Sequence, residues 1–483
     1  MVSEQFRRQL RQEAEQWRQE ALINDAVYAQ LTERYRFDEI ESFARNRFVA
    51  IMIGVGCILL GLGVITFVAA NWQAWSRWGR VLVLMATFIG VNAAGFYLWR
   101  RPANQKGLQR LGHGLLLAGA LCLGANMALM SQMFHQSGEI HELYLAWSLG
   151  VVVMAYSLRL SSLGILAWIL MAMGYSSRLF VNAGWDGSLI ESSAVSGTFH
   201  LMFENMALFG VALFLPLAYY CRSRIIFCLV GVAFPPVLML ELFKFVSISG
   251  EMVALSVVLP PALLWAHDQN LYRSLWHSMT TWRHPRSLTV TKDPFQGIAR
   301  ALAVLLLSIL LYTYSFHWLW ESWETQSGLQ LPLLSALYLL IFVIVALLSW
   351  AYLIGRRRSS QGLSVNTVSF ASVLVVLTGL IYCHAVIKHL PKLAPIVING
   401  MMFGLAIALI RDGLAMGHRR TAWGGLILLT VGILSRTFEY NTDLLFKAFV
   451  FAVCGVGVIL CGLWFERRLH RKTGTLSPRS LPE

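Results

Sequence analysis

The chain has 483 residues, of which 57% are hydrophobic and only 13% are charged. A soluble domain has about a quarter of its residues charged, so this composition argues against a large soluble protein. The net charge of +14 does not indicate a nucleic-acid partner, because the basic residues lie at the ends of apolar runs, where they set membrane topology. The apolar runs have the length that a bilayer core requires, and they predict an all-α, polytopic transmembrane helix bundle.

A charged head, residues 1–48, precedes the first apolar run. Its apolar residues recur at helical spacing from Phe6 to Leu22, and Asn24 or Asp25 can cap a second helix. This pattern predicts a short cytoplasmic helical hairpin with a narrow apolar stripe. Two interpretations stay open: a solvated stalk, or a module in which residues 1–36 dock a cytoplasmic protein partner.

Fourteen apolar runs follow, and we interpret each as a membrane-spanning helix. They cover residues 49–70, 81–99, 111–130, 142–158, 161–177, 201–221, 225–243, 250–266, 298–318, 332–354, 365–387, 394–410, 421–438 and 444–464. We expect a first membrane bundle over 49–266, a cytoplasmic loop over 267–297, a second bundle over 298–464 and a basic cytoplasmic tail over 465–483.

Basic residues are distributed unequally between the two sides of this arrangement. If the N-terminus is cytoplasmic, the segments on the cytoplasmic side hold 31 of the 39 Lys and Arg residues. Cytoplasmic loops of membrane proteins are enriched in these residues. The distribution therefore predicts that both termini lie in the cytoplasm.

Three stretches are similar to one known family. They are "EALINDAVYAQLTERY" at 20–35, "GVITFVAANWQAWSRWGR" at 63–80 and "MALMSQMFHQSGEIHELYLAW" at 127–147. They resemble a bacterial integral-membrane family known as domain of unknown function number twenty-one fifty-seven, over roughly residues 10–175. The resemblance implies a multi-pass protein of the bacterial inner membrane, and it implies no particular reaction.

The stretch "SQMFHQSGEIHE", residues 131–142, is predicted to lie outside, between the third and fourth spans. It contains His135, Glu139 and His141, and three interpretations compete. It is a polar loop whose acids favour the N-terminal end of the fourth span, a proton-sensing or substrate-binding cluster, or a divalent-metal site.

Two proline pairs lie within the seventh and eighth spans, at Pro235–Pro236 and Pro260–Pro261. Each pair removes backbone donors and is expected to kink or break its helix. Broken helices near the middle of the membrane are typical of transporter binding sites. The alternative interpretation is a plain kink that only shapes packing.

Two acids, Glu204 and Glu241, lie near the predicted outer ends of the sixth and seventh spans. A carboxylate inside the membrane is costly and by default indicates function. We predict that the 131–142 stretch forms a lid over a polar pocket that these acids share. The predicted substrate-binding set is His135, Glu139, His141, Glu204, Glu241, Pro235 and Pro260.

Standard catalytic signatures, including a P-loop, GxSxG, HExxH and a dinucleotide fingerprint, do not occur in the sequence. We therefore expect no catalytic residues, no cofactor and no metal. The leading hypothesis is a transporter or translocase of a small or lipid-linked substrate. The alternatives are a membrane sensor or scaffold that uses the head, and an intramembrane enzyme acting on a lipid-linked substrate.

The predicted topology can be tested with reporter fusions. Fusions after residues 140 and 325 should report an outside location, and fusions after residues 280 and 475 should report the cytoplasm, because the basic loops lie inside. An outside report from the fusion after residue 475 would contradict the fourteen-span topology.

Overall fold

Every regular element of the described part of this chain is a helix. In the computed structural model of the protein, the described residues are 4–20, 22–35, 37, 52, 59, 74–102, 106–135, 139–182, 197–243, 250–270, 293–321, 333–358, 365–387, 390–439, 443–457 and 459. The chain divides into two units, residues 1–139 and residues 140–483. The five-part division predicted from the sequence is a different partition, and it stays a prediction.

The first unit begins with the predicted helical hairpin, formed by α1 (Glu4–Gln19) and α2 (Asp25–Tyr35). The Asn24 side chain accepts a hydrogen bond from the Val27 N–H at 2.9 Å and so caps α2. The hairpin has a small core of its own in which Ala14 and Phe37 are buried. Leu10, Ala14 and Trp17 of the apolar stripe expected on the head therefore face the hairpin interior, whereas Leu22 is exposed.

Two long apolar helices complete the described part of the first unit, α3 (Arg77–Trp99) and α4 (Lys106–Met133). Glycines bring them close together: a Cβ placed on Gly112 would lie 2.4 Å from the backbone nitrogen of Trp99. Further along, the Asn126 side chain donates to the Leu84 carbonyl at 3.1 Å. Small residues let helices approach closely in lipid, and amide side chains form hydrogen bonds between them.

The second unit contains the remaining helices. They are α5 (Ile140–Leu158), α6 (Ser161–Asn182), α7 (Gly197–Glu204), α8 (Met206–Tyr220), α9 (Arg224–Phe243), α10 (Gly250–Trp265), α11 (Gln296–Tyr314), α12 (His317–Glu321), α13 (Leu333–Arg358), α14 (Val365–Tyr382), α15 (Leu393–Met416), α16 (Arg419–Glu439) and α17 (Leu444–Gly457). A single π-helical turn, Cys383–Ile387, extends α14.

The all-α polytopic fold predicted from the sequence is confirmed. Nine helices of the described residues are long and apolar enough to cross a membrane, and four shorter apolar helices accompany them. Together they correspond to the second to fourteenth predicted spans. The first predicted span, 49–70, lies outside the described residues except for Met52 and Leu59. The cytoplasmic location of both termini stays a prediction.

The proline pairs do not break their helices, which corrects one of the two outcomes expected from the sequence; a kink at either pair stays a prediction. The helix α9 continues through Pro235 and Pro236, and α10 continues through Pro260 and Pro261. The physical reason is that the fixed φ of proline, near −65°, is itself helical. A proline removes a donor without forcing the chain out of the helix, and membrane helices tolerate this loss.

The interruption lies instead in the sixth predicted span, at Asn205. This residue has φ −124° and ψ 39°, and it separates α7 from α8. Its backbone still accepts a hydrogen bond from the Phe209 N–H at 3.0 Å. The first N–H groups of α8 therefore need hydrogen-bond acceptors from outside the helix, as at any helix N-terminus.

A polar linkage joins the helices of the C-terminal half at one end. The Ser315 carbonyl, after α11, accepts hydrogen bonds from Arg436 at 2.7 Å and from Asn399 at 3.0 Å. Arg436 also pairs with Glu439, one turn later on α16, and Glu439 accepts from the His317 N–H at 2.5 Å. This linkage ties α11, α12, α15 and α16 together beside their apolar core.

The close approach of α3 and α4 generates a stability prediction. The substitution Gly112→Ala should destabilise the protein by about 1–3 kcal/mol, because the added methyl group meets the Trp99 backbone, which cannot move alone. The matched control is Gly114→Ala on the same helix, where a Cβ meets nothing within 4 Å. Thermal unfolding in detergent measures both variants, and equal stability of the two would contradict the close-packing interpretation.

Candidate functional site

Two buried polar clusters lie in the second unit. The first, which we call the Glu241 cluster, comprises His141, Tyr175, Arg178, Phe203 and Glu241, from the ends of α5, α6, α7 and α9. The second, the His267 cluster, comprises Tyr219, His267, Asp268, Asn270 and Asp293 and lies where α8 and α10 end and α11 begins.

The carboxylate of Glu241 caps the helix that restarts after the break at Asn205. It is 1% exposed, and one of its oxygens accepts a hydrogen bond from the Ala207 N–H at 2.9 Å. Ala207 lies in the first turn of α8, where the N–H groups have no partner within the helix. A negative charge at this position also interacts favourably with the helix dipole. Glu241 therefore acts as a capping residue supplied by a neighbouring helix.

Two members of the Glu241 cluster, His141 and Arg178, pack against the ring of a third, Phe203. His141 is 3% exposed, and its ring meets that of Phe203 edge-on with centroids 4.8 Å apart. The Arg178 guanidinium lies 4.7 Å from the centre of the same ring. Tyr175 is within electrostatic range of Glu241. The cluster thus combines a base, an acid, a phenol and a cation at one end of four helices.

The predicted substrate-binding residues differ in location and exposure. His141 and Glu241 are brought to the same end of the second unit, whereas Glu204 is exposed. Pro235 and Pro260 are both buried within continuous helices.

Two further predicted residues precede the second unit. His135 is exposed, with φ 50°, on the turn after α4, and Glu139 is partly buried. Both belong to the first unit. The predicted lid, in which residues 131–142 cover Glu204 and Glu241, stays a prediction.

The His267 cluster is a chain of short hydrogen bonds. The Tyr219 hydroxyl lies 2.5 Å from Nε2 of His267 and 3.1 Å from Oδ2 of Asp293. Asp293 also accepts from the backbone N–H groups of Gln269 at 2.7 Å and Phe295 at 2.8 Å. Three donors thus compensate the burial of one carboxylate. A phenol between an imidazole and a carboxylate can pass a proton from one to the other.

The buried environment of His267 favours its neutral form. Burial lowers its pKa below the ordinary value, although the carboxylates of Asp293 and Asp268 act in the opposite direction. Asp268 is also buried and accepts from the backbone N–H and the side-chain amide of Asn270, each at 2.8 Å. The rings of Phe227 and Phe295 enclose the cluster with Tyr219.

An apolar cavity lies on each side of the α8–α9 pair. The first, of about 140 Å³, lies between α6, α8 and α9, and Tyr175 is among its lining residues. The second, of about 220 Å³, lies between α8, α9, α10 and α13, and His267 is its one titratable lining residue. Val211, Val230 and Phe234 line both cavities. The α8–α9 pair is therefore a shared wall.

Sequence reasoning missed the His267 cluster. Its titratable residues come from three segments, and each segment looks ordinary alone. They are a tyrosine at the end of a span, a His-Asp pair before the long loop and a single aspartate after that loop. A signal was present, since His267, Asp268 and Asp293 close the eighth span and open the ninth. Adjacent antiparallel spans bring such ends together.

The fold and these clusters define the class of the protein as a multi-span helical membrane protein. Residues 15–164 match the family described as "Predicted membrane protein (DUF2157)". The resemblance inferred from the three sequence stretches is thereby confirmed over this range. Comparison with curated proteins and with solved structures found no match.

The lowered pKa of His267 predicts acid sensitivity. Because the folded protein holds this group neutral, the unfolded chain binds the proton more readily below about pH 6.5, the ordinary pKa of histidine. Stability is therefore lost as the pH falls from that value toward the lowered pKa of the folded state. We expect His267→Asn to reduce the fall in Tm between about pH 7 and about pH 5.

The control for this measurement is His135→Asn, which alters an exposed histidine. It should retain the wild-type dependence of Tm on pH in the same detergent. If the Tm of His267→Asn falls as steeply as that of the wild type, His267 is not a source of the acid sensitivity.

Proposed function

We propose that this protein is a bacterial inner-membrane translocase or transporter of a lipid or lipid-linked substrate. The observation that carries the proposal is the pair of apolar cavities on opposite faces of α8–α9, each with a lining residue from one of the buried polar clusters. Tyr175 connects the first cavity to the Glu241 cluster, and His267 connects the second to the His267 cluster.

The lining of the cavities favours an apolar substrate over a small polar solute. Thirteen of the fourteen residues around the larger cavity are apolar, and His267 is the exception. Burying an acyl or isoprenoid chain there is favourable by about 25 cal/mol per Å² of apolar surface. A sugar or amino acid would instead lose hydrogen bonds to water that this lining does not replace.

The two clusters lie far apart along α9. His267 contacts the ring of Phe227 near the start of this helix, with centroids 5.1 Å apart, while Glu241 lies near its end. The helix between Phe227 and Glu241 is about 21 Å long at about 1.5 Å per residue, most of a bilayer core of about 30 Å. The predicted topology assigns Glu241 to the outer side and His267 to the cytoplasmic side.

This arrangement supports a mechanism in which α8–α9 exposes a substrate chain alternately to the two cavities. Both clusters contain groups that can change protonation, and such a change would alter the packing at the corresponding end of α9. Proton movement through these clusters is therefore suited to drive the movement of the substrate chain.

A second candidate is an intramembrane enzyme acting on a lipid-linked substrate. The Tyr219–His267–Asp293 chain favours it, because an imidazole and a phenol in hydrogen-bond contact are suited to general acid–base catalysis. Chemical change of a lipid added to the purified protein would favour this candidate over transport.

The translocase proposal can be tested with fluorescent lipids in proteoliposomes. Ala212→Phe fills part of the larger cavity and should slow the movement of the lipid between leaflets by an order of magnitude or more, since it removes space for the chain. The matched control is Val232→Phe on α9, at an exposed position that lines neither cavity. Wild-type protein that moves no lipid faster than empty liposomes would contradict the proposal.

A further inference from the structure

Two backbone carbonyl groups in the wall of the larger cavity have lost their helical hydrogen-bond donors. Ala212 on α8 is followed four residues later by Pro216, and Gly231 on α9 is followed four residues later by Pro235. In an α-helix the carbonyl of residue i accepts from the N–H of residue i+4, and proline has no N–H. Both Ala212 and Gly231 line the cavity.

The placement of these carbonyls is selective. The neighbouring Pro236 deprives the carbonyl of Val232, which is 58% exposed and lines neither cavity. Pro260 and Pro261 deprive Ser256 and Val257, which also lie outside the cavity wall. Each helix of the shared wall therefore contributes to the larger cavity one lining residue whose carbonyl is deprived of its helical donor.

Two side-chain donors near these helices, both among the described residues, bind other carbonyls. The Tyr156 hydroxyl donates to the carbonyl of Leu213, next to Ala212, at 2.7 Å. Trp350 on α13 donates to the carbonyl of Ala262 at 3.1 Å. In the hydrocarbon region no water replaces a missing donor, so a deprived carbonyl is a binding group for any ligand that brings one.

The charge of the wall selects among donor-bearing ligands. The cavity lining includes no lysine or arginine among the described residues, and two buried carboxylates, Asp268 and Asp293, lie beside its one titratable member, His267. An anionic headgroup such as a phosphate or a carboxylate finds no cation in this lining. An uncharged hydroxyl needs only an acceptor, which the carbonyls supply.

We propose that the larger cavity binds an apolar alcohol, a long-chain or isoprenoid lipid with a free hydroxyl group, which donates a hydrogen bond to the carbonyl of Ala212 or Gly231. This assignment rests on the proposed function, since it names the substrate class for the same cavity. The apolar chain fills the space between α8, α9, α10 and α13, and the hydroxyl group fixes its position.

The test uses photoreactive probes that share one aliphatic diazirine chain and differ at the headgroup: an alcohol, its methyl ether, the carboxylate and the amine. The full-length protein in liposomes is labelled, and the modified peptides are located by mass spectrometry. We expect the alcohol to label the segments around Leu215 and Leu263 several times more strongly than the methyl ether, which has the same chain without a donor. The smaller cavity, which contains neither carbonyl, should show no such preference.

Proline substitutions provide the decisive comparison. Pro216→Ala and Pro235→Ala each restore an N–H group to the deprived carbonyl, and each should lower the preference for alcohol over ether by about threefold or more. Pro236→Ala is the matched control, because it restores a donor to the carbonyl of Val232, a residue that lines neither cavity. Alanine favours the helix, so the three variants should fold at least as well as the wild type.

Three outcomes separate this inference from the proposed function. Equal labelling of the larger cavity by alcohol and ether overturns the hydroxyl assignment and leaves lipid binding intact. A stronger preference for the amine or the carboxylate also overturns it, as does an unchanged preference in both Pro216→Ala and Pro235→Ala. Labelling of neither cavity by any probe contradicts the proposed function itself.

Discussion

Backbone hydrogen bonding in a medium without water is the constraint on which the rest of this structure depends. In hydrocarbon, each N–H and carbonyl group needs a partner from the protein or a bound molecule. At Asn205, where the helix stops and restarts, the partner is the Glu241 carboxylate from a neighbouring helix. At Ser315, where α11 ends, one carbonyl receives hydrogen bonds from Arg436 and Asn399. Polar side chains that look isolated in the sequence thus supply hydrogen-bond partners to backbone groups at the ends of other helices.

The same constraint distinguishes the two ends of α9. At the Glu241 end, a carboxylate caps the N-terminus of a neighbouring helix. At the other end, the Tyr219–His267–Asp293 chain holds protons that can redistribute among three groups, because a phenol can either donate or accept. The sequence directed attention to Glu241, whereas the structure was needed to bring the members of the His267 cluster together.

The fold was largely predictable, since apolar length decides whether a segment crosses a bilayer and the order of spans follows from counting. The site was less predictable because residue type does not reveal orientation. Glu204 and Glu241 look alike in the sequence, yet one is exposed and the other buried. Proline pairs predict lost donors correctly, but not a broken helix, because their φ is already helical. The break at Asn205 has no strong local signal, and it depends on a carboxylate 36 residues away in the sequence.

The pairing of Arg436 with Glu439 has a consequence for how the protein reaches the membrane. Both residues lie in the last turn of α16, three positions apart, so the opposite charges meet within one helix. A helix that enters the bilayer from the translocation machinery must carry its charged groups before any neighbouring helix is present to compensate them. Since Glu439 neutralises Arg436 within the same turn, the last turn of α16 can enter the bilayer without a net charge. Its contacts to Ser315 and His317 then form during assembly and need not drive insertion.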